Sequence, residues 1–251
     1  MNKLENIQNN FNNDSLKHKS FTEKIFESKT TWFLIGFLVF CFLLEMIFLV
    51  PNPELFQKFM THQSHFTNGN YTSVLTSIFL HGGIIHLLTN CLALLIFGRK
   101  VEKHLKGWKM ILFFISGGVL SNIISNFIGS YLGVEYYSLG ASGAIAAIII
   151  LAIMIHPFSF THIFIIPIPI FMLGWLIILS DIIGLTNPSQ TNNLAHIGGY
   201  LSLVFLGFFL NREHKKKIII GLGLNLLMLI ILYFIINYFQ ISFAIGIENI
   251  F

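Results

Sequence analysis

Apolar residues fall in seven long runs, over residues 31–50, 84–97, 108–131, 142–155, 163–185, 194–210 and 218–238. Most approach the roughly 20 residues a helix needs to cross the hydrocarbon of a bilayer, so each reads as a membrane helix. Pro51 and Pro53 stop the first run, and His156-Pro157 ends the fourth. Pro167 and Pro169 stand inside the fifth and predict a kinked or broken span. The connection over 51–83 mixes polar residues with Phe56, Phe59, Met60 and Phe66. A connection of that length is expected to carry structure of its own, and its aromatics suggest partial embedding in the interface. Residues 1–30 are rich in Asn, Lys and Ser and read as a cytosolic tail, partly disordered.

Composition agrees with that pattern. With 55% hydrophobic residues, 10% charged and a mean hydropathy of +0.76, the chain can bury its apolar surface only in lipid. The expected fold class is an all-α polytopic membrane protein. The net charge of +4 is small and its basic residues flank apolar runs, which points to topology rather than nucleic-acid binding. Of the 15 Lys and Arg, five precede the first run, Lys58 lies in the long connection, five stand at 99–109 and four at 212–217. By the positive-inside rule the N-terminus is cytoplasmic and the C-terminus, after seven spans, is outside. The expected setting is a bacterial plasma membrane, with no cleavable signal peptide. Cys41 and Cys91 fall inside runs and read as packing residues.

Polar residues within the runs carry the candidate chemistry. Gly140-Ala141-Ser142-Gly143 ends a short uncharged loop and opens the fourth run. The first N–H groups of a helix have no intrahelical partner and sit at the positive end of its dipole, so oxygen charge developing beside Ser142 would meet ready donors. His86 and Asn90 are i and i+4 on the second helix and share a face. His196 is the only histidine of the sixth run, followed by Gly198 and Gly199, which allow close helix approach. Ser142 stands 15 residues before Pro157, His196 15 before Asn211 and His86 13 before Arg99. At 1.5 Å per residue all three lie about 20–22 Å above the cytoplasmic edge, in one layer. The fourth run is too short to cross alone, so the backbone feeding Ser142 must dip into the membrane beside a water-filled cavity open to the outside.

In such a cavity His196 can accept the Ser142 proton, while His86, Asn90 and the N–H groups of Ser142 and Ala141 can stabilise an oxyanion. Each residue taken singly also has a structural reading: His196 as an interhelical donor, and His86 with Asn90 as packing glue. His81, His86 and His196 lack the carboxylate or cysteine of matching depth that would complete a metal site, so neither metal nor cofactor is expected. Asp181 reads as an interfacial or helix-pairing carboxylate rather than a third catalytic member. Glu45 reads as a snorkelling or bundle-facing one. Asn122, Asn126 and Gly117-Gly118 mark close packing of the third helix.

At these residues the sequence resembles the rhomboid intramembrane serine proteases. The match comprises His86-Leu-Leu-Thr-Asn90, Gly140-Ala-Ser142-Gly143, Ala195-His196-Ile-Gly-Gly199 and the run Gly98-Arg-Lys-Val-Glu102 with Gly107. The resemblance implies a six-helix catalytic core over residues 31–210. It leaves 1–30 as a tail and 211–251 as a basic loop and seventh helix, as in the six-plus-one members. It implies a Ser142–His196 dyad with oxyanion or substrate contacts from His86, Asn90, Ala141 and Gly140. Membrane-spanning protein substrates, cut near the outer face of the lipid bilayer, follow from it as well. Three positions depart from the family pattern. No Trp-Arg pair occurs in the first loop, position 146 is Ala where some members place a tyrosine that stacks on the histidine, and position 203 is Leu rather than a small residue.

Two other functions compete. A catalytically idle relative that holds membrane clients usually lacks the serine or the histidine, and both are present here. A small transporter would show repeat symmetry and more midplane charge than this chain carries.

Overall fold

A computed structural model describes residues 27–105, 107–163, 166–185 and 193–248. The predicted tail over 1–30 lies almost entirely outside the described residues. Helix α1 spans Lys29–Leu44 and runs into a wider π-type turn at Glu45–Leu49. The long connection folds into short helices α2 (Pro53–Phe59), α3 (Gln63–Thr67) and α4 (Ser73–Thr76). Helix α5 (Ile84–Ala93) continues through a π-type turn at Leu94–Gly98 into α6 (Arg99–Leu105), followed by α7 (Trp108–Leu132) and α8 (Ser142–Ile155). Then come strands β1 (Phe160–Ile163) and β2 (Ile166–Pro169), and helices α9 (Ile170–Gly184), α10 (Asn193–Leu206) and α11 (Arg212–Glu248). Among the described residues, Lys29–Leu49, Ile84–Leu105 and Trp108–Leu132 are long and apolar enough to cross a membrane, and Ser142–Ile155, Ile170–Gly184 and Asn193–Phe209 are shorter apolar helices. The chain is a multi-pass, all-α membrane protein with one small hairpin among the described residues.

Helix α8 is the axis of the bundle. It is apolar on every side, and such a helix is stable only when enclosed. Helices α7, α9, α10 and α11, with the π-type turn after α5, pack around it. Every residue from Gly143 to Ile155 except Ile150 is buried. The outer helices are two-faced in the inverted sense that lipid demands. In α1, Leu34, Leu38 and Phe42 recur at i, i+4 and i+8 and point inward, while Phe33, Phe40 and Leu43 are exposed. Ser142, the first residue of α8, stands at one end of this enclosed helix and is half-buried.

Polar side chains stitch the elements together inside the apolar shell. Glu102 of α6 caps α1, accepting from Thr30 N–H (2.8 Å), Thr31 N–H (2.9 Å) and Thr31 Oγ1 (2.7 Å). Asn122 of α7 donates to Val74 O (2.7 Å) and Ser77 Oγ (2.9 Å), and Asn126 donates to Thr61 Oγ1 (3.1 Å), so the two amides anchor the first long loop. Asn225 of α11 accepts from Trp175 Nε1 (2.8 Å) and donates to Ile153 O (3.0 Å), joining the seventh helix to α9 and α8. Glu45 faces the bundle, 1% exposed, and accepts the His81 N–H at 2.7 Å.

The fifth run differs from its expected form. A span beginning at 163 is replaced by an antiparallel hairpin, Phe160↔Pro169 through Ile163↔Ile166, and the helix begins only at Ile170. Pro167 and Pro169 lack the N–H a helix interior needs, and each is tolerated in a two-stranded edge. Lys100 Nζ donates to Phe160 O (2.7 Å), which ties the hairpin to α6 on the basic side of the protein.

Candidate active site

The loop entering α8 is held by the first long connection. Thr61 and Ser138 exchange backbone hydrogen bonds (2.9 and 2.8 Å), and Gly140 N–H donates to Ser77 O at 2.8 Å. Gly140 has φ +120°, a conformation open essentially to glycine, and a β-carbon there would lie 2.7 Å from His86 Cε1 and 2.9 Å from its Nε2. The imidazole of α5 is thus seated on the glycine two residues before Ser142. Ser142 is half-buried and is the first residue of α8, and Ala141 before it supplies no side-chain cap. The opening N–H groups of the helix therefore face the same space with their dipole.

One turn along α5 from His86, Asn90 is 5% exposed and its Nδ2 has no hydrogen-bond partner. A buried amide donor left unpaired is costly in a folded protein, and such donors are found where something else is to be bound. The ring of His81 stacks edge-on against His86, 5.3 Å between centroids, and is itself 1% exposed. His86 is thereby backed on one side and presents its remaining edge toward Gly140. His196 lies within electrostatic range of His86.

Helix α10 is brought in by its glycines. A β-carbon on Gly198 would meet Ser121 O of α7 at 2.6 Å, and one on Gly199 would meet Ala146 Cβ of α8 at 2.7 Å. Ser121 Oγ also donates to Ala195 O, which pins the first turn of α10 to α7. His196 is half-buried in that turn, beside the first turn of α8 that carries Ser142. Serine hydroxyl and imidazole are not hydrogen-bonded to each other. Instead His196 Nδ1 is 2.8 Å from Asp181 Oδ1, and Tyr200 OH donates to Asp181 Oδ2 at 2.5 Å.

That contact makes Asp181 a helix-pairing carboxylate. It joins α9 to α10, is 7% exposed, and has the histidine of the candidate site as its partner. A carboxylate oxygen opposite Nδ1 favours the imidazole tautomer protonated there, whose lone pair is on Nε2. A signal for this was present: His196 and Tyr200 are i and i+4 on one face, two polar groups that require an acceptor from a neighbouring helix.

A Rhomboid domain family model matches residues 68–213. Over 161 residues the chain is 27% identical to the RHOMBOID-like protein 12, mitochondrial, of Arabidopsis thaliana, covering 58% of this chain and 48% of that protein. It is 31% identical over 137 residues to RHOMBOID-like protein 2 of the same plant, covering 55% of this chain and 41% of the relative. To the Rhomboid protease GluP of Bacillus subtilis (strain 168) it is 35% identical over 105 residues, covering 41% and 20%. The matched segments thus span about half or less of these relatives' own length. The span of the family model contains Ser142, His86 and His196 and the helices that carry them, and it covers more than half of the 251 residues. The chain belongs to the rhomboid family.

Proposed function

We propose that the protein is an intramembrane serine endopeptidase that cuts membrane-spanning protein substrates near the outer face of the bilayer. Ser142 is the nucleophile and His196 the general base. His196 Nε2 takes the Oγ proton as Oγ attacks the scissile carbonyl carbon, and the carbonyl π electrons move onto oxygen. The resulting oxyanion is met by Asn90 Nδ2, His86 Nε2 and the N–H of Ser142, with Gly140 and Ala141 leaving room for the substrate backbone. Collapse expels the amine, which leaves with the proton from His196. Water then enters along the same path and releases the acyl group from Ser142 by the same steps.

The observation that carries this reading is the buried, unpartnered Asn90 amide, one turn from the imidazole that sits on Gly140 beside Ser142. An oxyanion donor is free until charge develops, and the Asn90 amide fits that role. The orientation that makes the cleaved side the outer one rests on the charges at 99–109 and 212–217, with residues 1–30 inside and the C-terminus outside. Reporter fusions at the two ends should report opposite faces, and the same face for both would reverse the assignment. Catalysis itself is tested by incubating detergent-purified protein with tagged single-span substrates. Wild type should cut at least one, and Ser142→Ala, which keeps the helix start, should cut none. Equal cleavage by both would overturn the proposal, and none by the wild type across the panel would favour an idle relative that only holds membrane clients.

A further inference from the structure

We infer that Asp181 is a positioning residue for His196, fixing the orientation and tautomer from which the imidazole acts on Ser142. The inference rests on the proposed role of Ser142 and His196. Both oxygens of the carboxylate are engaged, Oδ1 with His196 Nδ1 at 2.8 Å and Oδ2 with Tyr200 OH at 2.5 Å. Tyr200 follows His196 by one turn of α10, so the carboxylate is gripped at two points and cannot swing away from the imidazole. Gly198 and Gly199 lie between them in sequence and bring the α10 backbone tight against α7 and α8.

A carboxylate is an expensive way to pair two apolar helices. Neutral amides join other elements of this bundle, Asn225 linking α11 to α8 and α9 and Asn122 linking α7 to the first loop, while the inward carboxylates Glu45 and Glu102 accept from backbone N–H groups and the Thr31 hydroxyl rather than from an imidazole. What an ionised carboxylate adds opposite an imidazole is specific. It accepts the Nδ1 proton and so fixes the tautomer whose Nε2 is a base. It also faces the positive charge that appears on His196 when Nε2 takes the Ser142 proton. The proton count closes without Asp181 titrating: the proton passes from Oγ to Nε2 to the leaving amine, while Nδ1 keeps its own. Tyr200 supplies a second donor that holds the carboxylate in its acceptor role.

The test uses the full chain in detergent. In the wild type, the histidine 15N spectrum, with His196 assigned by its loss in His196→Ala, should show the Nδ1-protonated tautomer. In Asp181→Asn the amide NH2 can donate to Nδ1, and His196 should shift toward the Nε2-protonated form. Labelling by a fluorophosphonate and kcat on a single-span substrate should then fall together by about 10²–10⁴-fold, with KM within a few fold. An Nε2-protonated His196 in the wild-type protein overturns the inference without recourse to any variant. So does Asp181→Asn labelled at the wild-type rate while Ser142→Ala is unlabelled, a result that leaves the serine–histidine reading intact. Labelling that persists in Ser142→Ala removes the reading beneath it instead.

Discussion

Truncating Asn90 to alanine separates binding of the oxyanion from stability of the fold, because activity should fall while stability stays nearly unchanged. The side chain is 5% exposed and its Nδ2 is unsatisfied. An orphaned buried donor destabilises a folded protein by about 1–3 kcal/mol, and removing it relieves that penalty. The relief offsets the packing lost with the amide, so the thermal midpoint should move by no more than about 4 °C. Activity should respond differently. One oxyanion donor removed from a serine protease lowers kcat by about 10²–10³-fold, or roughly 2.7–4 kcal/mol of transition-state stabilisation. His86 and the α8 N–H groups remain, so Asn90→Ala should be slow rather than inactive. Its kcat should fall more than its KM rises, since the contact strengthens only as charge develops. The assay is initial-rate cleavage of a single-span substrate over a concentration series, with unfolding followed on the same preparations. Unchanged kcat, or a fall in midpoint well beyond 4 °C, would show that the amide serves packing and that its free Nδ2 has no catalytic meaning.

Two further predictions concern the fold's basic side. Glu102→Ala strips three hydrogen bonds from the start of α1 and leaves the buried Thr31 N–H and hydroxyl without their acceptor, so it should cost about 2–3 kcal/mol and lower the thermal midpoint by several degrees, with Glu102→Gln intermediate; an unchanged midpoint would refute the cap. His156, just past the end of α8, is pushed down from 6.5 to about 4, first by burial and then by His104, Lys217, Lys100 and Lys103; its Nε2 is 2.8 Å from His104 Nε2, and His104 in turn faces His214. Between about 6.5 and 4 the unfolded chain binds a proton that the folded chain does not, so this group's share of stability is full above 6.5 and is lost as pH falls toward 4. Thermal midpoints from pH 7 to 4 should therefore decline less steeply in His156→Gln than in wild type, and parallel curves would refute the linkage.

Much of the architecture is legible in the sequence because lipid imposes one rule on every helix. The runs at 108–131 and 142–155 foretell α7 and α8 to within a residue, since a glycine or proline bounds each of them. The hairpin was not legible: residues 160–169 are as apolar as the helix that follows, and hydropathy does not distinguish strand from helix. Its prolines announced a break without saying what form it takes. At the site, Ser142, His86, Asn90 and His196 can be picked out as polar groups at one depth. Asp181 could not be joined to them, because its azimuth on α9 depends on how α9 packs, and counting residues gives depth alone. Asn122 and Asn126 read as packing residues, yet their partners are loop groups from 61 to 77, pairs that no helical spacing predicts.

The most direct test of the account is to map the residue a fluorophosphonate modifies. The purified protein is treated in detergent, digested, and the adduct located by mass spectrometry, in wild type and in His196→Ala. The account predicts one adduct, on Ser142, formed in the wild type and essentially absent when His196 is replaced. An adduct on another serine, or equal labelling of Ser142 without His196, would contradict it.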